Sequence, residues 1–270
     1  MNMTAATVIE SGRLSLAEEG FEYARARIGA RLAWRPTVAA WQRLQAARGL
    51  GAWIAVARSA AFAPYVSGVA ATDTLDAIEA AFRAQWRQRV EELARWSPPV
   101  WQPALRWTAV LHDLPMQVHV QHGGVAPDGL ARDNDLSHAA TERWPVEPHA
   151  RPRGSGQQEG RQAAAPGAVL PAPLAAWADR WRRLWPADRG AAALDRWAVQ
   201  RGGELHRLAQ AEDVDGAASR LAAHLLADVR GSGARAPCVA PFAFLALLAL
   251  DLRKLRSSAV QAWWAQESCA

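Results

Sequence analysis

The sequence has little cysteine, little lysine and no long apolar run. Cysteine occurs twice in 270 residues, at Cys238 and Cys269, and no CxxC pair is present. Two distant cysteines exclude a disulfide framework and are typical of a reducing compartment. The longest apolar run, 238–250, stops before Asp251 and is shorter than the roughly 20 residues of a transmembrane helix. It therefore predicts a buried helix.

The first ten residues have neither a basic segment nor an apolar segment, so we expect no secretory signal and a soluble, intracellular protein. The positive charge is almost all arginine, because Lys254 is the one lysine. The net charge of +5 is too small to indicate nucleic-acid binding by itself. The excess of arginine is typical of a GC-rich genome, and it also suits phosphate or carboxylate recognition.

Apolar residues recur at steps of three and four along most of the chain, which predicts amphipathic helices. The clearest is 75–96, preceded by the candidate N-caps Thr72, Asp73 and Thr74. Further helices are expected after residue 174 and over 16–34, 36–49, 50–62 and 98–111. Most of the 14 tryptophans fall on the apolar faces. They predict core filling rather than stacking on bases or a ligand.

Between residues 115 and 172 the sequence is rich in Gly, Pro, Gln, Asp and His and shows no helical period. Such a composition buries too little apolar surface to offset chain entropy, so it predicts a flexible segment. We therefore expect an all-α protein of tandem helical subdomains. Its parts are an N-terminal helical region, 1–114, the Gly/Pro-rich segment, 115–172, and a C-terminal helical region, 173–270.

The sequence contains no glycine-rich nucleotide loop, Walker loop or nucleophile elbow. The only local group of metal-binding side chains is His112, Asp113, His119 and His122, whose spacing matches no standard zinc motif. We interpret these residues as a solvated loop. The sequence thus predicts a protein that is not an enzyme, with no catalytic residue, no cofactor and no metal. Cys238 is expected to be a buried residue rather than a nucleophile.

Two groups of basic residues are candidate partner interfaces. The first is a stripe with i, i+4, i+8 spacing on the first helix, and the second adjoins the C-terminal apolar run: Arg27, Arg31 and Arg35, and Arg253, Lys254 and Arg256. Such groups are usually solvated faces. They also suit an acidic partner helix or phospholipid head groups.

Four segments, in their order and spacing, resemble the family of C-type subunits of V-type ATPases and ATP synthases, which are the d-type subunits of eukaryotes. They are Tyr23-Ala24-Arg25-Ala26-Arg27-Ile28, then Ala61-Phe62-Ala63-Pro64-Tyr65, then Ile78-Glu79, and finally Pro241 and Phe244 followed by Asp251-Leu252-Arg253-Lys254-Leu255-Arg256. Two departures stand out. Lys254 replaces the usual Asn, and Asp113-Leu114-Pro115 lacks the Asn of the family's internal motif.

The resemblance covers roughly residues 20–114 and 172–262. It implies three similar helical subdomains forming a funnel, of which the middle one is here reduced to the Gly/Pro-rich segment. It also implies a non-catalytic subunit that links the central stalk to the membrane rotor ring and transmits torque between ATP turnover and ion flow. Its partners would be rotor-ring and central-stalk subunits, with no nucleic acid and no small-molecule substrate.

The resemblance further implies a cytoplasmic protein that is peripheral at the inner face of the membrane. Two other interpretations stay open. One is an arginine-rich helical adaptor or nucleic-acid-associated protein. The other is a metal-dependent enzyme built on the histidines from His112 to His122.

Overall fold

The computed structural model describes residues 20–59, 61–114, 172–232 and 236–268. Within these ranges the chain is all-α and has no strand, as the sequence predicts. The helices are α1 (20–33), α2 (Val38–Ala46), α3 (Leu50–Arg58), α4 (Leu75–Trp96), α5 (Gln102–Trp107), α6 (Ala172–Arg183), α7 (Arg189–Ala209), α8 (Val214–Gly231) and α9 (Val239–Glu267). Short 3-10 helices span Ala63–Tyr65, Pro99–Trp101 and Thr108–His112. The expected flexible segment lies outside the described residues, except for Ala172, which begins α6.

Side-chain caps set several helix starts. Of the three candidates before α4, Thr74 is the N-cap, and its Oγ1 accepts a hydrogen bond from the Ala77 amide at 3.3 Å. Thr37 caps α2 in the same way, through the Ala40 amide at 3.2 Å. The helix expected over 36–49 therefore begins later than predicted, because Pro36 precedes the cap.

Other helix boundaries also differ from the expectation. The segment 98–111 is not one helix: α5 stands between two 3-10 helices, in a stretch where three prolines remove backbone donors. The Gly202-Gly203 pair does not break α7, which runs unbroken from Arg189 to Ala209. Tertiary contacts of α7 outweigh the roughly 1 kcal/mol that each glycine costs in a helix interior.

Gly49 joins α2 to α3 with a φ of 77°. This left-handed region is open to glycine and strained for other residues. Here it lets the chain turn directly into α3. The first amide of α3, that of Leu50, then donates to Oε1 of Gln266 in α9 at 3.2 Å.

The long helix α9 lies at the centre of the molecule. It packs against α3, α4, α7 and α8, and its apolar N-terminal half is buried as expected. One hydrophobic core contains residues of both helical regions, so the N-terminal and C-terminal regions are not packed separately. Within the described ranges, no helix is both long enough and apolar enough to span a membrane.

Most of the described tryptophans fill this core. Trp53, Trp86 and Trp101 are almost fully buried. The Trp101 ring lies between Phe21 of α1 and Phe242 of α9, with ring centroids 6.0 and 6.2 Å apart. The core-filling interpretation is confirmed for these residues. Trp34 and Trp264 are exceptions with exposed fractions of 78% and 57%.

Candidate functional site

The four segments that carry the resemblance lie on four different elements. The first is in α1, the second leads into the 3-10 helix Ala63–Tyr65, the third is in α4, and the fourth is in α9. The structure brings the second, third and fourth segments and Arg35, which follows α1, together around the middle of α9. We call the contacts made by residues 251–256 of α9 the α9 junction.

The first contact of the α9 junction joins α9 to the residues that follow α1. Arg35 donates through Nε and Nη2 to the two carboxylate oxygens of Asp251, both at 2.8 Å. Such a two-pronged pair is the strongest geometry available to arginine. The hydrogen bonds to Asp251 are the largest cause that raises the pKa of the Arg35 guanidinium above its ordinary value.

The second segment of the resemblance contacts the same part of α9. Phe62 and Tyr65 share a small apolar cleft with Leu248, Asp251 and Leu252. Burial is the main cause that raises the pKa of the Tyr65 phenol. The aromatic residues that the resemblance singles out thus line a cleft beside Asp251, the acidic start of the α9 junction.

The third segment contacts the far end of the junction. Arg256 donates through Nε to the carboxylate of Glu79 in α4. Between the two ion pairs, the Lys254 ammonium lies 4.8 Å from the centroid of the Trp41 ring in α2, within the range of a cation–π contact. The junction therefore connects α9 with α2, with α4 and with the chain after α1.

The basic stripe on α1 is mostly engaged inside the molecule. Besides Arg35, Arg31 pairs with Glu92 of α4, and the Arg27 guanidinium lies 5.0 Å from the Trp96 ring centroid. Burial acts to raise the pKa of Glu92. Hydrogen bonds from Arg89 and Arg31 outweigh this effect together, so the pKa of Glu92 lies below its ordinary value. Much of the positive charge that suggested a docking stripe is thus neutralised by carboxylates of this chain.

Four of the six candidate interface residues are exposed, namely Arg27, Arg253, Lys254 and Arg256. Arg253 has no ion pair or ring contact within the described residues. The other five contact α2, α4 or α9 through ion pairs or aromatic rings. The stripe predicted on the first helix is wrong for Arg35, which lies beyond the end of α1. The spacing also gave no sign of the groups that these side chains contact.

The interpretation of His112 and Asp113 as a solvated loop is wrong. His112 ends the 3-10 helix Thr108–His112, and its ring packs on Trp86 with centroids 4.7 Å apart. Burial first, and then the guanidinium groups of Arg256 and Arg83, lower the pKa of His112 to about 4. Asp113 is buried and pairs with Arg87 at 3.0 Å.

His119 and His122 lie outside the described residues. Within the part of the chain that the structure describes, no three His, Cys, Asp or Glu side chains come together as a possible metal site. Cys238 is buried as expected. Burial raises the pKa of its thiol to about 12, and its Sγ donates to the Gly190 carbonyl at 3.3 Å.

A polar network between α7 and α8 could not be predicted from the sequence. Asp228 accepts hydrogen bonds from Trp197 at 2.8 Å and from two nitrogens of Arg201 at 2.6 and 2.7 Å. Arg201 also pairs with Glu204, which contacts His224 at 3.1 Å. The i, i+3 spacing of Arg201 and Glu204 was a visible signal, but the partner on α8 was not.

The contacts of the α9 junction and of the α7–α8 network join helices to one another. In the α9 junction Asp251 and Arg256 form ion pairs and Lys254 lies over an aromatic ring, an arrangement suited to holding a rigid shape. When the chain is compared with protein-family models, with curated proteins and with solved structures, no match is found.

Proposed function

We propose that this chain is a non-catalytic coupling subunit of a rotary V/A-type ATPase, which links the central stalk to the membrane rotor ring. The observation that supports the proposal is the α9 junction. Parts of three of the four resembling segments meet there: Glu79 pairs with Arg256, and Phe62 and Tyr65 line one cleft with Asp251. Arg35, which follows α1, pairs with Asp251.

The work of such a subunit is mechanical, so it needs helices that move as one body. The Arg35–Asp251 and Arg256–Glu79 pairs tie α9 to the chain after α1 and to α4. The shared core adds close-packed apolar contacts, which transmit strain. A load applied to one helix is then passed to the others rather than lost in local bending.

A coupling subunit also needs surfaces for its partners. Trp34 and Val38, at the corner between α1 and α2, have exposed fractions of 78% and 73%. Exposed tryptophan is enriched among the residues that dominate protein interfaces. We assign this corner, together with the exposed Arg253, to contacts with rotor-ring or central-stalk subunits at the cytoplasmic face of the membrane.

The test is affinity purification of the full chain from the cells that make it, followed by mass spectrometry. We expect catalytic and rotor-ring ATPase subunits to be recovered, and membranes carrying the rotor ring to retain the protein. Trp34→Ala should reduce this recovery because it removes the exposed ring. The matched control is Trp264→Ala, which removes an exposed tryptophan from another surface.

The proposal fails if membranes with the rotor ring never retain the wild-type chain at any salt concentration. Recovery of nucleic acid, lost as salt is raised, would instead support the adaptor interpretation. Equal recovery of ATPase subunits by Trp34→Ala and Trp264→Ala would show that the α1–α2 corner is not the partner surface.

A further inference from the structure

A groove of about 330 Å³ runs between α1 and α8, away from the α9 junction. Its apolar lining includes the small residues Ala26 and Gly29 of α1 and Ala240 at the start of α9, together with Leu32 and Val229. The volume falls within the range of binding pockets, although it lies at the lower end. No residue of the α9 junction lines it.

Two arginines stand beside this apolar lining, Arg25 on α1 and Arg230 on α8. The carboxylate nearest to Arg230 in sequence, Asp228, is already held by Trp197 and Arg201. Within the described ranges neither Arg25 nor Arg230 forms an ion pair, and no acidic residue lines the groove. The groove therefore combines an apolar lining with uncompensated positive charge.

We propose that this groove docks an amphipathic helix of a partner protein whose apolar face is flanked by Glu or Asp. Small lining residues allow the backbone of a second helix to come close. Helix-in-groove recognition uses apolar side chains at i, i+3, i+4 and i+7 as anchors. Arg25 and Arg230 would orient the incoming helix by pairing with its carboxylates, since complementary charge fixes register and partner choice.

The position of Gly29 allows a sharp test. A Cβ added at Gly29 meets no atom within 4 Å, so a larger side chain enters the groove without disturbing the core. Gly29→Leu also replaces glycine inside a helix with a stronger helix former. The variant should fold at least as well as the wild type and yet have a filled groove.

Gly203 in α7 supplies the matched control. A Cβ at Gly203 likewise meets no atom within 4 Å, and Gly203 does not line the groove. Gly203→Leu therefore makes the same change on another helix surface. The charge test is Arg25→Glu combined with Arg230→Glu.

The probe is a fluorescent synthetic helix with leucines on one face and glutamates on both sides of that face, titrated with the full chain by fluorescence anisotropy. We expect saturable binding that weakens by about tenfold or more in Gly29→Leu and in the double charge reversal. Gly203→Leu should bind like the wild type. A second probe with lysines in place of glutamates should bind at least tenfold more weakly than the first.

The proposal is overturned if the glutamate helix does not bind, or if it binds Gly29→Leu as well as the wild type. It is also overturned if the chain binds vesicles of phosphatidylglycerol, loses that binding in the double charge reversal, and binds neither synthetic helix. Because the α1–α2 corner and the groove are separate surfaces, the ATPase proposal and this one can fail independently.

Discussion

Arg35 and Asp251 are 216 positions apart in the chain, and yet they form a two-pronged ion pair with both N–O distances at 2.8 Å. Both side chains are largely shielded from water. The pair closes the chain after α1 onto α9, and this makes it a direct link between the two helical regions.

Arg35→Ala should lower the free energy of unfolding by about 1–3 kcal/mol, because a shielded carboxylate loses its charged partner. Arg35→Lys should cost less, since one of two parallel hydrogen bonds can remain. Denaturant unfolding followed by circular dichroism measures both. Arg220→Ala, an exposed residue of α8, is the control, with an expected change within about 0.5 kcal/mol. Equal effects of Arg35→Ala and Arg220→Ala would contradict the role of the pair.

A buried hydrogen bond joins α3 to α9. The Trp53 indole Nε1 donates to Ser258 Oγ at 2.8 Å, and the Trp53 side chain is fully buried. Ser258→Ala should lower the free energy of unfolding by about 1–3 kcal/mol, since the buried indole N–H loses this acceptor.

The neighbouring residue makes the control for this prediction. Ser257 is exposed on the same helix, so Ser257→Ala gains the same helix propensity without removing a buried contact. Denaturant midpoints of the two variants should differ clearly. A Ser258→Ala protein as stable as Ser257→Ala would mean that the hydrogen bond contributes nothing.

His112 should make stability depend on pH. The folded pKa of about 4 lies below the ordinary value of 6.5, so between these values the unfolded chain binds a proton that the folded chain does not. Stability is then full above about pH 6.5 and falls as the pH drops towards 4. At roughly 1.4 kcal/mol per pKa unit, the loss is up to about 3 kcal/mol.

His112→Phe keeps a ring against Trp86 and removes the titrating group. The free energy of unfolding of this variant should fall less than that of the wild type between pH 7 and pH 4.5. Ser257→Ala, which changes an exposed residue without a titrating group, should follow the wild-type curve. Parallel curves for His112→Phe and wild type would refute the assignment.

Cys238 should resist thiol reagents in the folded protein. Its side chain is almost completely buried, and burial raises the pKa of the thiol to about 12. The reactive thiolate is therefore rare. In a Cys269→Ser background, DTNB at pH 8 should modify no thiol in buffer and one in denaturant. Rapid modification in buffer would show that the site opens readily.

The helical class of this fold could be predicted from the sequence because apolar periodicity is a local property. The same reasoning identified Thr74 as one of the candidate caps of α4 and the run 238–250 as buried. Ion pairs between residues far apart in the chain could not be predicted in this way. The spacing of Arg31 and Arg35 predicted one helix face, but Arg35 lies beyond the end of α1. Nothing local indicates that Glu92 and Asp251 are their partners.

His112 shows the opposite error. Its neighbours in sequence have a loop-like composition, and this suggested a solvated position. The ring is buried by Trp86, which lies 26 positions earlier, so the environment is set by tertiary packing. Tertiary packing acts in the same way at Gly202-Gly203: contacts of Trp197 and Arg201 with α8 hold α7 together across two weak helix formers.

The central place of α9 has a consequence for biosynthesis. A ribosome makes α1 to α4 more than 140 residues before it reaches α9, so the apolar faces that α3 and α4 turn towards α9 stay uncovered while the rest of the chain is made. Exposed apolar surface in a nascent chain favours aggregation. Folding of the N-terminal helices into their final positions is therefore a late event, and a chaperone that shields those faces during translation would raise the yield of folded protein.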